Sequence, residues 1–179
     1  METTEKIVES YCRYVKQWFT IPNIKCQKQF EVDLLAVDTT NPKRLNRYHI
    51  ECGVSISTAF SKLTAKEFSA AQLKQRVQAP AQRRTLGFFI ERKFDVPEVH
   101  AELAKYGFVG DNYNRIVVTW DATPDARALA VERKIDLWDF RHLLLEIAAA
   151  HRDRSTYFTD DTARTIQLFA MAAKSKDAR

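Results

Sequence analysis

Glycine is scarce in this chain, with four in 179 residues, at 53, 87, 107 and 110, against an average near 7%. So sparse a spacing excludes a GxGxxG dinucleotide turn and a Walker-type phosphate loop, both of which need clustered glycines. Cys12, Cys26 and Cys52 include no CxxC pair, which removes zinc ribbons and thioredoxin chemistry. His49, His100, His142 and His151 include no HExxH, so the common helical zinc protease is out. No apolar run approaches the roughly 18 residues of a membrane span. The opening METTEKIVES carries mixed charge and no apolar h-region, so neither a membrane partner nor a signal peptide is expected. Three scattered cysteines fit a reducing compartment, and a cytoplasmic location is the expectation.

What remains is an ordinary globular composition. The hydrophobic fraction is 45%, enough to build a core without disulfides or a structural metal. No linker-like stretch divides the chain, and a single domain over 1–179 is expected, with a core at about 5–145 and a helical extension at about 146–175. Lys and Arg total 28 against 23 Asp and Glu, a net +5, and a pI near 9.1. That balance permits a polyanionic partner without demanding one.

Apolar periodicity predicts a first helix over 4–19, through Ile7, Val8, Tyr11, Tyr14, Val15, Trp18 and Phe19, stopped by Pro22 and Asn23. Residues 24–38 read as β, TTNPKRLN (39–46) as a turn, and 47–56 as an alternating strand. In that strand Tyr48, Ile50, Cys52, Val54 and Ile56 face one way, with His49, Glu51, Gly53 and Ser55 on the other side. The two strands should pair as an antiparallel hairpin. Leu63, Thr64, Glu67 and Phe68 have the spacing of a staple and capping box for a helix to about Gln78, and Phe94, Asp95, Glu98 and Val99 repeat it for a helix closing at Gly107. LGFFIE (86–91) reads as a buried strand. Residues 115–120, a helix opened by Thr123-Pro124, and 135–138 form a parallel βαβ, with Trp120 and Trp138 as packing residues. Helices near 139–151 and 160–174 follow, then a frayed tail. Asp160, Asp161, Arg164 and Gln167 read as an ordinary polar helix start. The fold class expected is α/β, a mixed central sheet (antiparallel hairpin plus parallel βαβ) flanked by helices.

Two acids stand out. Asp33 lies mid-strand inside VDLLAV, and Glu51 lies on the polar face of its predicted partner. Carboxylates in such surroundings are costly unless matched by a metal, a cation or a proton. A pair on adjacent strands offers hard oxygen ligands suited to Mg²⁺ or Mn²⁺. Basic side chains matching the two acids, or a turn toward solvent at a sheet edge, would also account for them.

Glu31-Val32-Asp33-Leu34-Leu35-Ala36, followed after a turn by Tyr48-His49-Ile50-Glu51-Cys52-Gly53-Val54-Ser55, resembles the core of the PD-(D/E)xK, or restriction-endonuclease-like, nuclease superfamily. The likeness covers the order of elements over about 5–145, and RIVVTW…ALAVERKIDLWDF is similar to the closing part of the methyl-directed restriction endonuclease branch. It implies a metal-dependent DNA endonuclease in which Asp33 and Glu51 bind Mg²⁺ or Mn²⁺, with the backbone carbonyl of Cys52 as a third ligand. In that family a lysine two residues after the second acid orients the attacking water, and here that position is Gly53. Lys28, Lys62 and Lys66 are the nearest lysines to supply the charge, Lys28 foremost, and His49 could accept a proton near neutral pH. Glu9, on the first helix, corresponds loosely to an acidic helix residue of some nucleases. Lys74, Arg76, Arg83, Arg84, Arg92 and Lys93 would neutralise phosphates of DNA. Cutting both strands would call for a homodimer or a partner subunit. The alternative left open by Gly53 is a catalytically inactive nuclease-fold module that binds DNA or a protein, and Gly53 equally fits a β-bulge or close packing.

Overall fold

The computed structural model describes residues 2–40, 43, 45–57, 59–152 and 158–177, with side chains to residue 173. Seven strands and eight α-helices are described. They are α1 (Thr3–Ser10), β1 (Phe19–Lys25), β2 (Glu31–Asp38), β3 (Asn46–Gly53), β4 (Lys62–Leu63), α2 (Ala70–Leu73), α3 (Ala79–Gln82), α4 (Leu86–Phe89), α5 (Pro97–Lys105), β5 (Tyr113–Thr119), β6 (Asp121–Ala122), α6 (Pro124–Glu132), β7 (Ile135–Asp139), α7 (Phe140–His151) and α8 (Asp161–Asp177).

The main sheet has the order β1-β2-β3-β5-β7. The pairs β1–β2 and β2–β3 are antiparallel, whereas β3, β5 and β7 are parallel. This is the mixed sheet expected, with the hairpin at β2–β3 and the βαβ at β5–α6–β7. Thr123 caps α6 by accepting the Ala126 N–H, and Pro124 follows at the first helical position, where its missing donor costs nothing.

Strand alternation sorts the core. Leu34, Ala36, Ile50, Ile116 and Val118 pack under α1 and α7, against Val8, Tyr11, Cys12, Phe140, Leu143 and Ile147. Trp18, Trp120 and Trp138 pack on that cluster, with Trp18 stacked on Tyr48 at 4.2 Å. The other face is covered by two clusters, one holding Leu86, Phe89, Phe94 and Val117, the other Leu35, Val96, Val99 and Leu103.

Five elements differ from the sequence reading. The β stretch at 24–38 is broken by a 3₁₀ turn, Gln27–Gln29, which divides β1 from β2. The first helix ends early. After α1 a π-helical turn spans Tyr11–Val15, Gln17 adopts φ 60°, and Phe19 already begins a strand. Pro22 therefore does not stop a helix but sits inside β1, which its place at the sheet edge permits. Strand β3 ends at Gly53, where its partner β5 ends at Thr119, and Ile56 is exposed. The helix expected over 63–78 forms only as the short α2, Ala70–Leu73, capped by Ser69. Leu63 belongs to β4, paired with β6, and the Thr64 backbone bonds Arg84 and Leu86, so no helical turn can start there. LGFFIE is helical rather than a strand, because Thr85 caps it by accepting the Phe88 N–H at 3.1 Å. A short apolar run is ambiguous between these states, and the cap decides it.

Of the turn expected at 39–46, residues 41, 42 and 44 lie outside the described residues, as do 178–179 of the tail, while 174–177 continue α8. Asp160 caps that helix by accepting the Ala163 N–H at 2.8 Å. Among the described residues no helix is long and apolar enough to cross a membrane.

Candidate active site

The register Leu34↔Ile50, continued by one step, sets Asp33 opposite Glu51, and the side chains meet. Asp33 Oδ2 accepts the Cys52 backbone N–H at 2.8 Å, and Glu51 Oε1 lies 3.4 Å from the Asp33 backbone N. Each acid thus leans on the other's strand. Glu51 is wholly buried, and the Asp33 side chain is 9% exposed.

The cation between them is Lys93. Its Nζ lies 2.9 Å from Asp33 Oδ1 and 2.6 Å from Glu51 Oε2, and it also donates to the Glu31 carbonyl at 3.1 Å. Lys93 arrives from an unexpected quarter. Helix α4 continues into a second π-helical turn, Ile90–Phe94, closed by the Asp95 N–H donating to the Ile90 carbonyl at 2.8 Å. The wider turn sends Phe94 into the core and Lys93 over the two strands. Such turns recur at functional sites.

Burial first, then the neighbouring Glu51 charge, push the Asp33 carboxyl up to about 7, against the pull of Lys93 and the Cys52 N–H. Burial likewise raises Glu51, opposed by Lys93. Burial alone would depress the lysine. The two carboxylates outweigh it and hold the ammonium above its ordinary value. Above pH 7 the site therefore sets two carboxylates against one ammonium in a poorly solvated place, and as pH falls through about 7 it takes up a proton.

His49 stands behind Glu51. It is fully buried, its Nε2 lies 2.7 Å from Glu51 Oε1, and its ring meets Phe94 edge-on. Burial, then the Lys93 charge, hold its imidazole down at about 3. A neutral ring beside a carboxylate oxygen carries its proton on Nε2 and donates it there. Nδ1 has no hydrogen-bond partner. The expected role of proton acceptor toward substrate is therefore corrected: His49 has no solvent access and orients Glu51.

The other sequence-derived lysines are elsewhere. Lys28 lies in a turn after β1 with its ammonium paired to Glu98 and largely in solvent, and Lys62 pairs with Asp121 at 3.7 Å. Lys66 is exposed in the loop before α2. Lys28 is thus corrected as the relocated cation. Glu9 accepts from Thr20 Oγ1 at 3.0 Å and stands 3.9 Å from Arg13. Glu5, one turn earlier, is the α1 acid that senses Asp33. Its carboxyl is raised, first by burial and in smaller part by the Asp33 charge. Cys52 lends its backbone N–H to Asp33, and burial holds its thiol well above the ordinary value; the ligand expected from this residue is its backbone carbonyl, not its sulfur. Of the residues expected to bind phosphates, Lys74, Arg76, Arg83 and Arg92 are exposed. Arg84 is half-buried and donates to the Val54 carbonyl at 3.2 Å. Lys93 stands apart from these, facing the acid pair at 20% exposure.

Gly53 is a packing residue. A Cβ there would lie 2.5 Å from Phe89 Cζ, and Phe89 is itself buried on α4.

No protein-family profile matches this chain, and no curated protein does. A crystal structure described as that of a protein of unknown function, AF1548, aligns over 98% of this chain and 100% of its own, with 13% identity and a TM-score of 0.45. That likeness is too slight to carry a function across.

Among the described residues no three His, Cys, Asp or Glu side chains gather to hold a metal. The donor set of the acid pair is two carboxylates. Magnesium commonly binds through one or two carboxylates, completing its shell with water and substrate phosphate. Here the Lys93 ammonium already takes one oxygen of each acid, and the other oxygens meet the Cys52 N–H and His49 Nε2.

Proposed function

We propose that this chain is a metal-dependent phosphodiesterase of the nuclease kind, acting on DNA, with Asp33 and Glu51 as ligands for Mg²⁺ or Mn²⁺ and Lys93 in the place of the motif lysine. The observation that carries this reading is the ammonium of Lys93 within 3 Å of both acids, delivered by a helix where the resembled motif would place a lysine at Gly53. Bound there, a divalent ion would neutralise phosphoryl charge and acidify a water. Lys93 supplies a fixed positive charge beside the reacting phosphate, in a site where low dielectric strengthens it. His49 holds the Glu51 carboxylate in one orientation, and the Cys52 N–H does the same for Asp33. Exposed Arg83 and Arg92 would position the phosphate backbone.

The same ammonium supports a second reading, a non-catalytic module of nuclease shape. Lys93 already bridges both carboxylates, as a purely structural ion pair would. One experiment separates the two. Purified protein is titrated with Mg²⁺ and Mn²⁺ against supercoiled plasmid and single-stranded DNA, beside Asp33→Asn and Lys93→Met variants. Metal-dependent hydrolysis lost in both variants supports the enzyme. No hydrolysis at any metal concentration, with DNA still retarded on a gel, supports the module.

A further inference from the structure

A pocket of about 230 Å³ opens beside Lys93. Lys93 is the least buried of the three charged groups of the site, with 20% of its side chain exposed against 9% for Asp33 and none for Glu51. Lys93 lines the pocket while neither acid does, so the lysine is the group through which the pocket adjoins the acid pair. Its walls combine two chemistries, with the rings of Phe30 and Phe88 half-buried in it and the exposed side chains of Arg83 and Arg92 at its rim. The Arg92 guanidinium lies 4.9 Å from the Phe30 ring centroid. Glu31 also lines the pocket, but its carboxylate is paired with Lys25. Exposed Lys74 and Arg76 follow directly after Leu73, another lining residue.

An intact duplex offers its phosphates outward and hides the faces of its bases in the stack. Only an unpaired strand can lay a base on an aromatic side chain while its phosphate meets a guanidinium. We infer that the pocket holds one unpaired nucleotide of a single-stranded nucleic acid, base against Phe30 and Phe88 and phosphate against Arg83 and Arg92. The neighbouring phosphodiester is thereby delivered to Lys93 and the acid pair. This inference rests on the phosphodiesterase reading for its chemistry and deepens it to a substrate class, single strands or frayed ends rather than closed duplex. Sequence selectivity is not expected, since every base has a face to stack.

The test is a binding measurement, independent of cleavage. Fluorescence anisotropy of fluorescein-labelled oligo-dT and of a blunt duplex of equal length is followed in EDTA at low salt. The full chain is compared with Phe30→Leu and Arg92→Gln. The single strand is expected to bind about tenfold more tightly than the duplex, and Phe30→Leu to lose about tenfold on the single strand alone. Arg92→Gln, at an exposed position that leaves the core intact, should lose about two- to fivefold. Equal affinity for the two probes, or parallel losses on both in Arg92→Gln, would overturn the inference even if the protein cuts plasmid. Strand-selective binding that Phe30→Leu abolishes upholds it even if hydrolysis fails, and that failure then counts against the catalytic reading alone.

Discussion

Replacing Lys93 by Met removes the only ammonium between Asp33 and Glu51 among the described residues while keeping most of the apolar stem that crosses the strands. The buried acids lose contacts of 2.9 and 2.6 Å, and breaking a buried pair by removing one partner costs about 3–5 kcal/mol. In a chain of this length each kcal/mol moves Tm by about 2–4 °C, so a fall of about 6–20 °C is expected without metal. The sign with pH follows from the acids. Asp33 is already pushed up to about 7 with the lysine present, and without it the carboxyl must rise further. At pH 6 the variant can shed one charge by taking up a proton, whereas at pH 9 it cannot do so cheaply, so the loss grows as pH rises. Magnesium should act in the opposite direction. An ion at a hundred times its dissociation constant returns about 2.7 kcal/mol, and the variant, with no ammonium competing for the acids, should be stabilised more than the native protein. Thermal unfolding followed by circular dichroism at pH 6 and 9, with and without Mg²⁺, reads all three effects. A loss under about 1 kcal/mol, indifferent to pH and to Mg²⁺, would refute the reasoning.

Lys28→Ala should leave any hydrolysis at the native level, because Lys28 pairs with Glu98 at the surface; a loss comparable with that of Lys93→Met would return Lys28 to the site. Gly53→Ala should cost about 1–3 kcal/mol by overpacking against Phe89, and an unmoved denaturant midpoint would contradict the close approach. The Cys12 thiol, buried and pushed up to about 12, should resist alkylation of the native protein at pH 8 and react only on unfolding, as peptide mapping after a timed iodoacetamide pulse would show. Tyr11 donates to Glu146 at 2.6 Å and holds that carboxyl below its ordinary 4.5. The bond therefore stabilises above that pH and is lost as pH falls through the lowered value. Tyr11→Phe should flatten the acid limb of Tm below the ordinary carboxylate range and remove stability at pH 7.

The sheet was readable because its strands write their burial directly. The alternation at 48–52 assigned Ile50 to one face and Glu51 to the other, and the βαβ announced itself through Thr123-Pro124 and two apolar runs. The acid pair was readable for the same reason, since Asp33 and Glu51 are charges on strands whose neighbours are apolar. Lys93 was not. It is separated from Glu51 by 42 positions, and it reaches the acids only because α4 is a helix and because its last turn widens. An LGFFIE strand would have projected its basic residues along a sheet instead, and so the basic run at 92–93 read as a phosphate contact. The helix predicted at 63–78 shrank to α2 through a related cause. Its capping spacing was genuine, but backbone bonds from Thr64 to distant Arg84 and Leu86 outcompeted it. Local signals cannot register such partners.

Gly53 ties these observations together. Absence of the motif lysine at that position reads, in the sequence, as the mark of a retired site or of tight packing. The geometry joins it to the lysine that is present. Phe89 and Lys93 belong to one continuous helical segment, α4 and its π turn, and that segment carries Lys93 over the acids only by lying close enough to β3 for the Phe89 ring to press on residue 53. A lysine at 53 would drive its Cβ into that ring, push the segment away and withdraw the ammonium now in place. A side chain at 53 and the Phe89 ring in its present place compete for the same space. Glycine at 53 relieves that competition, and the absence of a lysine there and the presence of Lys93 over the acids have one packing explanation.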